Sequence, residues 1–303
     1  MLYNSYRSYM KNRFGAPVMK ISLSAGFSCP NRDGTKSVEG CSFCDNRSFS
    51  PALGSVEPVV KQLTDVMDRC KYRFKHFLPY LQPFSNTYGS AQQLREIYEP
   101  LVQVPGVIGL AVGTRPDCFS EEVFEYLEDL SGRTYLSIEL GLQSGHNSVL
   151  ERVNRGHSVE EFCSVAQRLY SIGAEVVAHV ILGLPSETEE MMEQTARMLG
   201  SMECVGGVKV HQLMVIAGTS LAQSYHKDEI ELYDICRYSD MLCRFLSLLR
   251  PEQHIHRLMA DSKPDMGLIA PLWSIDKQRS LSFIHGYMEK ISFVQGRRYC
   301  SVS

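Results

Sequence analysis

The sequence predicts an α/β protein built as an open, partial (β/α)6 barrel with a short C-terminal extension. From about residue 18 to residue 249, strand-like runs alternate with helical patterns, which is typical of a parallel sheet wrapped by helices. The alternation comprises six β–α units of roughly 35–40 residues, fewer than the eight of a closed barrel. The strands also alternate between apolar and polar residues, which indicates that the barrel encloses a ligand.

The elements are predicted in chain order as follows. The strands cover residues 18–24, 77–82, 107–114, 134–143, 176–184 and 208–215. The helices cover about residues 57–75, 90–103, 120–131, 146–151 with 158–172, 187–201 and 229–249. We assign residues 1–17 to a polar lead-in, 18–250 to the barrel and 251–303 to the extension. Within this extension, HIHRLMAD (254–261) is compatible with a last strand and turn, and a final helix near 276–290 should help to cover the open side.

One face of each strand is polar or very small. The residues that share these faces include Lys20, Ser22, Gly113, Arg115, Glu139, Gly141, Gln143, His179, Lys209 and His211. Parallel strands buried on both faces usually form unbroken apolar runs, and side chains alternate across a strand with period two. If the polar face points inward, the barrel holds a polar ligand. The alternative is that some of these faces are exposed to solvent.

Length and composition are those of an ordinary globular chain. The 303 residues are 44% hydrophobic and 21% charged, and the net charge of −3 gives no global attraction for nucleic acid. Ten cysteines in a chain of this length favour a reducing cytoplasm over a disulfide-rich secreted scaffold. We expect no signal peptide at the polar start and no membrane association, because no apolar run reaches the roughly 18 residues that span a bilayer.

Three cysteines on one loop form the strongest single motif. Cys29, Cys41 and Cys44 follow the first predicted strand with the spacing Cys-x11-Cys-x2-Cys. The Cys-x-x-Cys pair lets two thiolates reach one metal centre, and Gly34 and Gly40 let the loop fold back toward Cys29. A ferredoxin cluster takes four cysteines and a structural zinc takes four protein ligands. Three thiolates therefore indicate a metal centre with one open position.

Further motifs accompany this loop: GFSCPNRDGT (26–35), GTRPDC (113–118), ELGLQS (139–144), NRGHS (154–158), ILGLP (181–185) and APLW (270–273). With the loop spacing, they make the chain resemble the radical S-adenosylmethionine (SAM) superfamily, most closely its YhcC/YtqA-like family, which is related to the Elongator catalytic subunit. The resemblance implies a TIM-like barrel of the radical SAM type. It also implies a [4Fe–4S] cluster on Cys29, Cys41 and Cys44, SAM at the open iron, and reductive cleavage of SAM to a 5′-deoxyadenosyl radical.

The resemblance implies SAM contacts at matching positions. The segment QPFSNT, with Gln82 and Asn86, occupies the place of the glycine-rich motif that meets the SAM amino group, although it lacks that motif's Gly-Gly-Glu. Glu139 and Gln143 would face SAM from the fourth strand. Arg155 would pair with the SAM carboxylate, because a guanidinium forms a strong charged fork with that group; without the motif, a surface arginine would be the default interpretation.

Other positions complete the expected site. The backbone of ILGLP, with Leu182 and Gly183, would meet adenine. Thr114 and Arg115 lie on a predicted loop at the same end of the barrel and would contact SAM or substrate. The catalytic or substrate-contacting candidates are Asp117, Lys209 and His211. Asp117 also has a purely structural interpretation, because an aspartate beside a proline often stabilises a turn.

The resemblance favours modification of a tRNA wobble uridine side chain, with an electron donor such as flavodoxin or ferredoxin as a partner. The stretch RCKYRFKHF (69–77) interleaves basic and aromatic residues as RNA-binding surfaces can. Cations at a helix C-terminus more often simply complement its dipole. Two alternatives remain: a radical SAM enzyme that acts on a small metabolite, and a non-catalytic zinc or iron–sulfur protein.

Overall fold

The computed structural model describes residues 2–45, 54–55, 57–262 and 264–300. The strands are β1 (Val18–Leu23), β2 (His76–Leu81), β3 (Gly109–Thr114), β4 (Tyr135–Gln143), β5 (Glu175–Leu182), β6 (Val205–Gln212), β7 (Val215–Ile216), β8 (His254–Arg257) and β9 (Leu268–Ala270). A parallel sheet has the order β1-β2-β3-β4-β5-β6-β8, and β7 pairs antiparallel with β9. The predicted partial barrel is confirmed, and β8 extends it beyond the six predicted strands.

Helices connect and cover these strands. They are α1 (Tyr6–Phe14), α2 (Val59–Cys70), α3 (Ala91–Val102), α4 (Glu121–Arg133), α5 (Asn147–Arg152), α6 (Val159–Ser171), α7 (Glu189–Ser201), α8 (Ser220–His226), α9 (Ile235–Leu248) and α10 (Lys277–Lys290). Several begin where a side chain accepts an otherwise unpaired backbone N–H. Ser120 caps α4, Thr188 caps α7, and Ser158 forms a capping box with Glu161 on α6. None of the described helices has the length and apolar character needed to cross a membrane.

The two faces of the sheet differ as the alternation predicts. On β4, Leu136, Ile138 and Leu140 are buried in the main hydrophobic core on the helix side. The opposite face carries Glu139, which is only 1% exposed and lies inside the barrel with Lys209 of β6, which is 7% exposed. The prediction that the polar faces point inward is therefore right for these strands, and solvent exposure does not explain their polarity.

The N-terminal segment closes one end of the barrel. Helix α1 contacts both β1 and β8, the two edge strands of the sheet. Its Met10 is buried with Leu78, Tyr80 and Ala111, on the inner face of β2 and β3. The backbone N–H of Ile255 also donates to the carbonyl of Asn4, 2.7 Å away. The expected lead-in thus forms the floor of the barrel, and the access to its interior lies at the carboxyl ends of the strands.

Candidate metal and cofactor site

The cysteine loop begins at the carboxyl end of β1 and is held against the segment that follows α5. The side-chain amide of Asn31 donates to the carbonyls of Asn154 and Arg155, at 2.6 and 3.1 Å. In return, the amide of Asn154 donates to the carbonyl of Gly40, 2.8 Å away. Gly40 has a φ of +78°, a conformation that favours glycine. These contacts hold Cys41 in the interior, beside the NRGHS motif.

Positive charge surrounds the sulfur of Cys41. The Nη1 atoms of Arg155 and Arg115 lie 3.6 and 3.8 Å from its Sγ, and the amide nitrogen of Asn31 lies 3.6 Å away. Burial raises the pKa of the Cys41 thiol, but the two guanidinium groups outweigh it, so the net direction is down. The surroundings of Cys41 therefore favour the thiolate, which is the form that binds metals.

A cavity that is partly open to solvent lies beside this loop. Most of the predicted site residues line it together: Cys29, Cys41, Cys44, Gln82, Thr114, Arg115, Glu139, Gln143, Arg155, Lys209 and His211. These residues come from the ends of β1–β4, from the NRGHS segment and from the inner face of β6. The fold thus brings a sulfur-rich loop and a polar barrel interior into one space.

Four predicted site residues are not among those that line this cavity in the described part of the chain. The amide of Asn86 donates to the carbonyls of Leu81, Pro83 and Gly113, and so joins the ends of β2 and β3. Leu182 is buried in the main core, because the period of two turns its neighbour Ile181 inward instead. Gly183, with a φ of +85°, forms the turn that follows β5.

The fourth of these residues, Asp117, acts through its neighbours. Its carboxylate accepts two hydrogen bonds from Arg115, both 2.9 Å, and it lies 2.7 Å from Nζ of Lys36. Burial raises the pKa of Asp117, yet Arg115 and Lys36 lower it to about 2. The structure therefore gives Asp117 the role of orienting Arg115 toward Cys41, rather than that of a group inside the cavity.

Arg155 is engaged by the protein itself. Its Nε donates to Nε2 of His157 at 2.9 Å, and its Nη2 donates to the carbonyl of Gly141 at 2.7 Å. A Cβ at position 141 would lie only 2.4 Å from Nη2, so a larger residue at this point of β4 would displace the guanidinium. Together with the contact to Cys41, these bonds fix the guanidinium beside the sulfur. The predicted pairing of Arg155 with a SAM carboxylate has to coexist with all three contacts.

Glu139 organises the polar interior. Its carboxylate forms an ion pair with Lys20, lies 2.7 Å from Nζ of Lys209, and accepts hydrogen bonds from Tyr80 and His179 at 2.7 and 2.6 Å. Burial raises the pKa of Glu139, but the two lysines hold it well below its usual range. Glu139 is therefore a charged residue whose oxygens already have partners. A contact between Glu139 and SAM, as expected from the sequence, would have to form in addition to these bonds.

Arg257 and His211 have unused polar groups in the same cavity. Arg257 of β8 lies beside Lys209 in the sheet register, and its side chain forms no ion pair or hydrogen bond within the described residues. The Nε2 atom of His211 is buried without a hydrogen-bond partner in the same part of the chain. Buried polar groups normally have partners, so a ligand could supply the one that His211 lacks. The half-buried side chain of Arg257 is available to the same ligand. Sequence reasoning missed Arg257 because it lies in a short run outside the six repeating units.

Glu187 is a second residue that sequence reasoning missed. It follows β5 in the segment LPSE, and its carboxyl group accepts a hydrogen bond from Ser144, which follows β4. Burial raises the pKa of Glu187 to about 8, so that its carboxyl group is protonated at neutral pH. Its Oε2 has no hydrogen-bond partner among the described residues. The only sequence signal was an acidic residue two positions after the motif assigned to adenine.

The basic and aromatic stretch 69–77 lies at the other end of the sheet. It spans the end of α2 and the start of β2, whereas the cavity is lined by the cysteine loop, by the carboxyl-terminal parts of the strands and by residues of the barrel interior. Tyr72 is 93% exposed, and Nζ of Lys71 lies 5.9 Å from the centre of its ring. The stretch is therefore an exposed surface that is separated from the cysteine loop by the length of β2.

Two family models match this chain, and so do relatives that align with it over more than nine tenths of both chains. Residues 29–199 match the model of the radical SAM superfamily, and residues 205–290 match that of the Radical_SAM C-terminal domain. The chain is 33% identical to the uncharacterized protein YtqA of Bacillus subtilis, over 97% of this chain and 92% of that protein. It is 31% identical to protein YhcC of Escherichia coli, over 95% of this chain and 93% of that protein.

The similarity to Elongator proteins is more distant. Elongator complex protein 3 of Saccharomyces cerevisiae is 28% identical over 51% of this chain and 28% of its own length. The solved structure of the Elp3 protein of Methanocaldococcus infernus has the same fold, with a TM-score of 0.67 and 17% identity, covering 92% of this chain and 64% of that chain. The chain therefore belongs to the radical SAM superfamily, in the family of YtqA and YhcC that is related to Elongator complex protein 3.

Proposed function

We propose that the protein is a radical SAM enzyme that binds a [4Fe–4S] cluster through Cys29, Cys41 and Cys44. The observation that carries this proposal is the position of the three cysteines at one cavity, with two arginines directed at the sulfur of Cys41. When bound and reduced, such a cluster supplies the electron that cleaves SAM to a 5′-deoxyadenosyl radical. The polypeptide has to place both cofactor and substrate and to exclude water.

The sulfur atoms suit a cluster better than a single ion. All three cysteines are described, yet their sulfur atoms do not all lie within 4.8 Å of one another. A tetrahedral zinc with bonds of about 2.3 Å requires sulfur atoms about 3.8 Å apart. The wider separation is compatible with thiolates bound to different irons of one cluster. Arg115 and Arg155 would balance part of the negative charge that three thiolates bring into a buried site.

The remaining cavity residues suit a polar substrate held below the cysteine loop. Lys209, His211 and Arg257 lie on β6 and β8, away from the loop in the sheet order. Apolar side chains, among them Phe43, Phe84 and Met214, line other parts of the same cavity. Such a mixture of apolar walls and a few polar groups is typical of small-molecule and cofactor sites. The guanidinium of Arg257, which has no partner among the residues that the structure describes, would orient a polar or anionic group of the substrate.

As the substrate we propose the side chain of a modified wobble uridine in tRNA. Two observations support this choice: the relationship to Elongator complex protein 3, and the polar cavity residues Lys209, His211 and Arg257. The experiment is mass spectrometry of nucleosides from tRNA of a deletion strain, complemented with the wild-type gene or with the C41A variant. We expect one 5-substituted uridine to accumulate in the deletion strain and in the C41A strain. An unchanged uridine profile would contradict the tRNA substrate and leave the radical SAM chemistry intact.

A small-metabolite substrate is the second candidate. It is favoured by the location of the basic stretch 69–77, which lies at the end of the sheet opposite the cavity. Filter binding of bulk tRNA at two salt concentrations distinguishes the candidates, because phosphate contacts make affinity fall with salt.

Anaerobic reconstitution tests the non-catalytic alternative. About four irons and four sulfides per chain, with a spin-resonance signal that responds to SAM, support the enzyme; one zinc and no colour support a structural site.

A further inference from the structure

A second group of potential metal ligands lies below the Glu139 network, away from the cysteines. It consists of Glu175 on β5 and of His254 and His256 on β8, and we call it the floor site. One ligand atom from each residue lies within 4.8 Å of the other two. The side chains are 13%, 3% and 3% exposed, respectively. None of the three lines the cavity beside the cysteine loop.

The imidazole nitrogens of the floor site lack hydrogen-bond partners. Both ring nitrogens of His254 and the Nε2 of His256 are buried without such a partner in the described part of the chain. Nε2 of His254 does lie 3.1 Å from Oε1 of Glu175, but the alignment is not that of a hydrogen bond. Leaving a buried polar group unpaired destabilises a folded protein. These atoms therefore require a partner, and their arrangement indicates which kind.

The separation of 3.1 Å between these two atoms is that of neighbouring ligands on one ion. Metal–nitrogen and metal–oxygen bonds of about 2.0–2.2 Å place adjacent ligand atoms roughly 3.0–3.4 Å apart in tetrahedral or octahedral geometry. Two imidazoles and one carboxylate are a ligand set used for Zn²⁺ and for non-haem Fe²⁺. The short distance and the poor alignment for a hydrogen bond are both explained if the two atoms share a metal ion.

Neighbouring groups hold these ligands in place. The hydroxyl groups of Tyr135 and Tyr9 donate to the two oxygens of Glu175, the first at 2.7 Å. Nδ1 of His256 lies 3.7 Å from Oε1 of Glu139, so that its other nitrogen is the one left without a partner. Outer partners of this kind orient ligands in many metal sites.

The backbone and α1 also shape the floor site. A Cβ at Gly207 of β6 would lie 2.3 Å from the His254 ring, so glycine makes room for this side chain. From the other side, the ring of Tyr9 stacks on His254 and that of Tyr6 stacks on His256, with centroid distances of 4.0 and 3.8 Å. The imidazoles are thus held between β6 and α1, which limits their freedom to reorient.

We propose that Glu175, His254 and His256 bind one divalent transition-metal ion of the zinc or ferrous type. The ion links β5 to β8, the strands on either side of β6, directly beneath α1. It acts as a structural clamp that closes the floor of the barrel. The site shares no ligand with the cysteine loop, so this inference stands or falls independently of the radical SAM proposal.

Cobalt(II) titration of the C29S/C41S/C44S variant tests the floor site without thiolate ligands. We expect one equivalent of Co²⁺ to bind with visible ligand-field absorption and to raise the melting temperature, because binding favours the folded state. E175Q and H254A should lose this equivalent, and H226A, at the end of α8, should keep it. Zn²⁺ and Fe²⁺ should compete with the bound Co²⁺.

Absence of stoichiometric Co²⁺ binding in the folded triple variant overturns the proposal, as does full binding by folded E175Q. If H254A does not fold, E175Q decides, because it preserves the shape of the side chain. If the triple variant does not fold, the comparison is made in the cysteine-containing protein before reconstitution. There E175Q should bind one equivalent of Co²⁺ less than the wild type, and equal stoichiometry refutes the site.

Discussion

Oε2 of Glu139 lies 2.7 Å from Nζ of Lys209 in the interior of the barrel, across the intervening strand β5. Burial lowers the pKa of Lys209 to about 7, against the opposing effect of the carboxylate. Lys20 forms a further ion pair with the same carboxylate. The barrel therefore has a charged centre in place of an apolar core, and its stability depends on the completeness of this network.

Removal of the charge at position 139 should destabilise the fold. E139Q keeps the shape of the side chain but leaves Lys20 and Lys209 without their carboxylate. Breaking a buried ion pair from one side typically costs about 3–5 kcal/mol, and we expect a loss of this size in urea unfolding. The exposed E125Q on α4 serves as the control. E139Q/K209M should recover part of the loss, and a neutral effect of E139Q would show that the network contributes little.

The C41S variant should keep the fold and lose the cluster. Cys41 supplies one of three thiolates and is the one that Arg115 and Arg155 approach. After anaerobic reconstitution, iron and sulfide should fall from about four each to near zero, while the circular dichroism spectrum is unchanged. C236S, at an exposed position on α9, is the matched control. Production of 5′-deoxyadenosine by C41S would contradict the ligand assignment.

Replacement of Arg155 tests two roles for its guanidinium. R155Q removes the donors to Cys41 and Gly141. We therefore expect the variant to retain less cluster, and its iron content to fall more than its affinity for SAM. A charge-assisted hydrogen bond is worth roughly 1.5–3 kcal/mol, which corresponds to about a 10- to 100-fold effect on affinity. Iron analysis and calorimetry with SAM measure the two effects. Full cluster content with reduced SAM affinity would favour the carboxylate-pairing role, and R152Q on α5 is the control.

Arg257 should affect substrate use rather than SAM cleavage. Its side chain lines the cavity without an ion pair or hydrogen bond in the described part of the chain, and it lies beside Lys209 rather than beside the cysteines. We expect R257Q to lower substrate turnover about 10- to 100-fold, with 5′-deoxyadenosine still formed without product. The exposed R279Q on α10 should behave as the wild type. Equal losses of cleavage and turnover would assign Arg257 to SAM instead.

The pH dependence of stability should report on Glu187. Burial raises its pKa from 4.5 to about 8, so the folded protein keeps a proton that the unfolded chain releases. The contribution of this proton to the free energy of unfolding is fully present below about pH 4.5. It declines by about 1.4 kcal/mol per pH unit up to about pH 8. E187Q lacks this dependence, so its stability relative to the wild type should increase over that range and then level off. Urea unfolding at several pH values tests this, with the exposed E190Q as the control. A difference that does not vary with pH would refute a raised pKa.

Local patterns in the sequence were enough for the fold class and for most of the cavity. The period of two on β4 fixes which face Glu139 takes, because successive side chains in a strand point to opposite sides. The three cysteines Cys29, Cys41 and Cys44 were correctly placed on one loop, because the chain between them is short. Leu182 shows the limit of motif transfer, since the same period turns it into the core while its neighbour Ile181 reaches the cavity.

The sequence by itself thus determined the alternating barrel, the polar interior and the trio of cysteines at one end. Only the tertiary structure decided that Arg155, far along the chain, donates to Cys41, that Arg257 joins the cavity through β8, and that α1 closes the floor over His254. The reason is physical. Periodicity is set by the geometry of neighbouring residues, whereas contacts between distant residues depend on how whole elements pack, which no local pattern records.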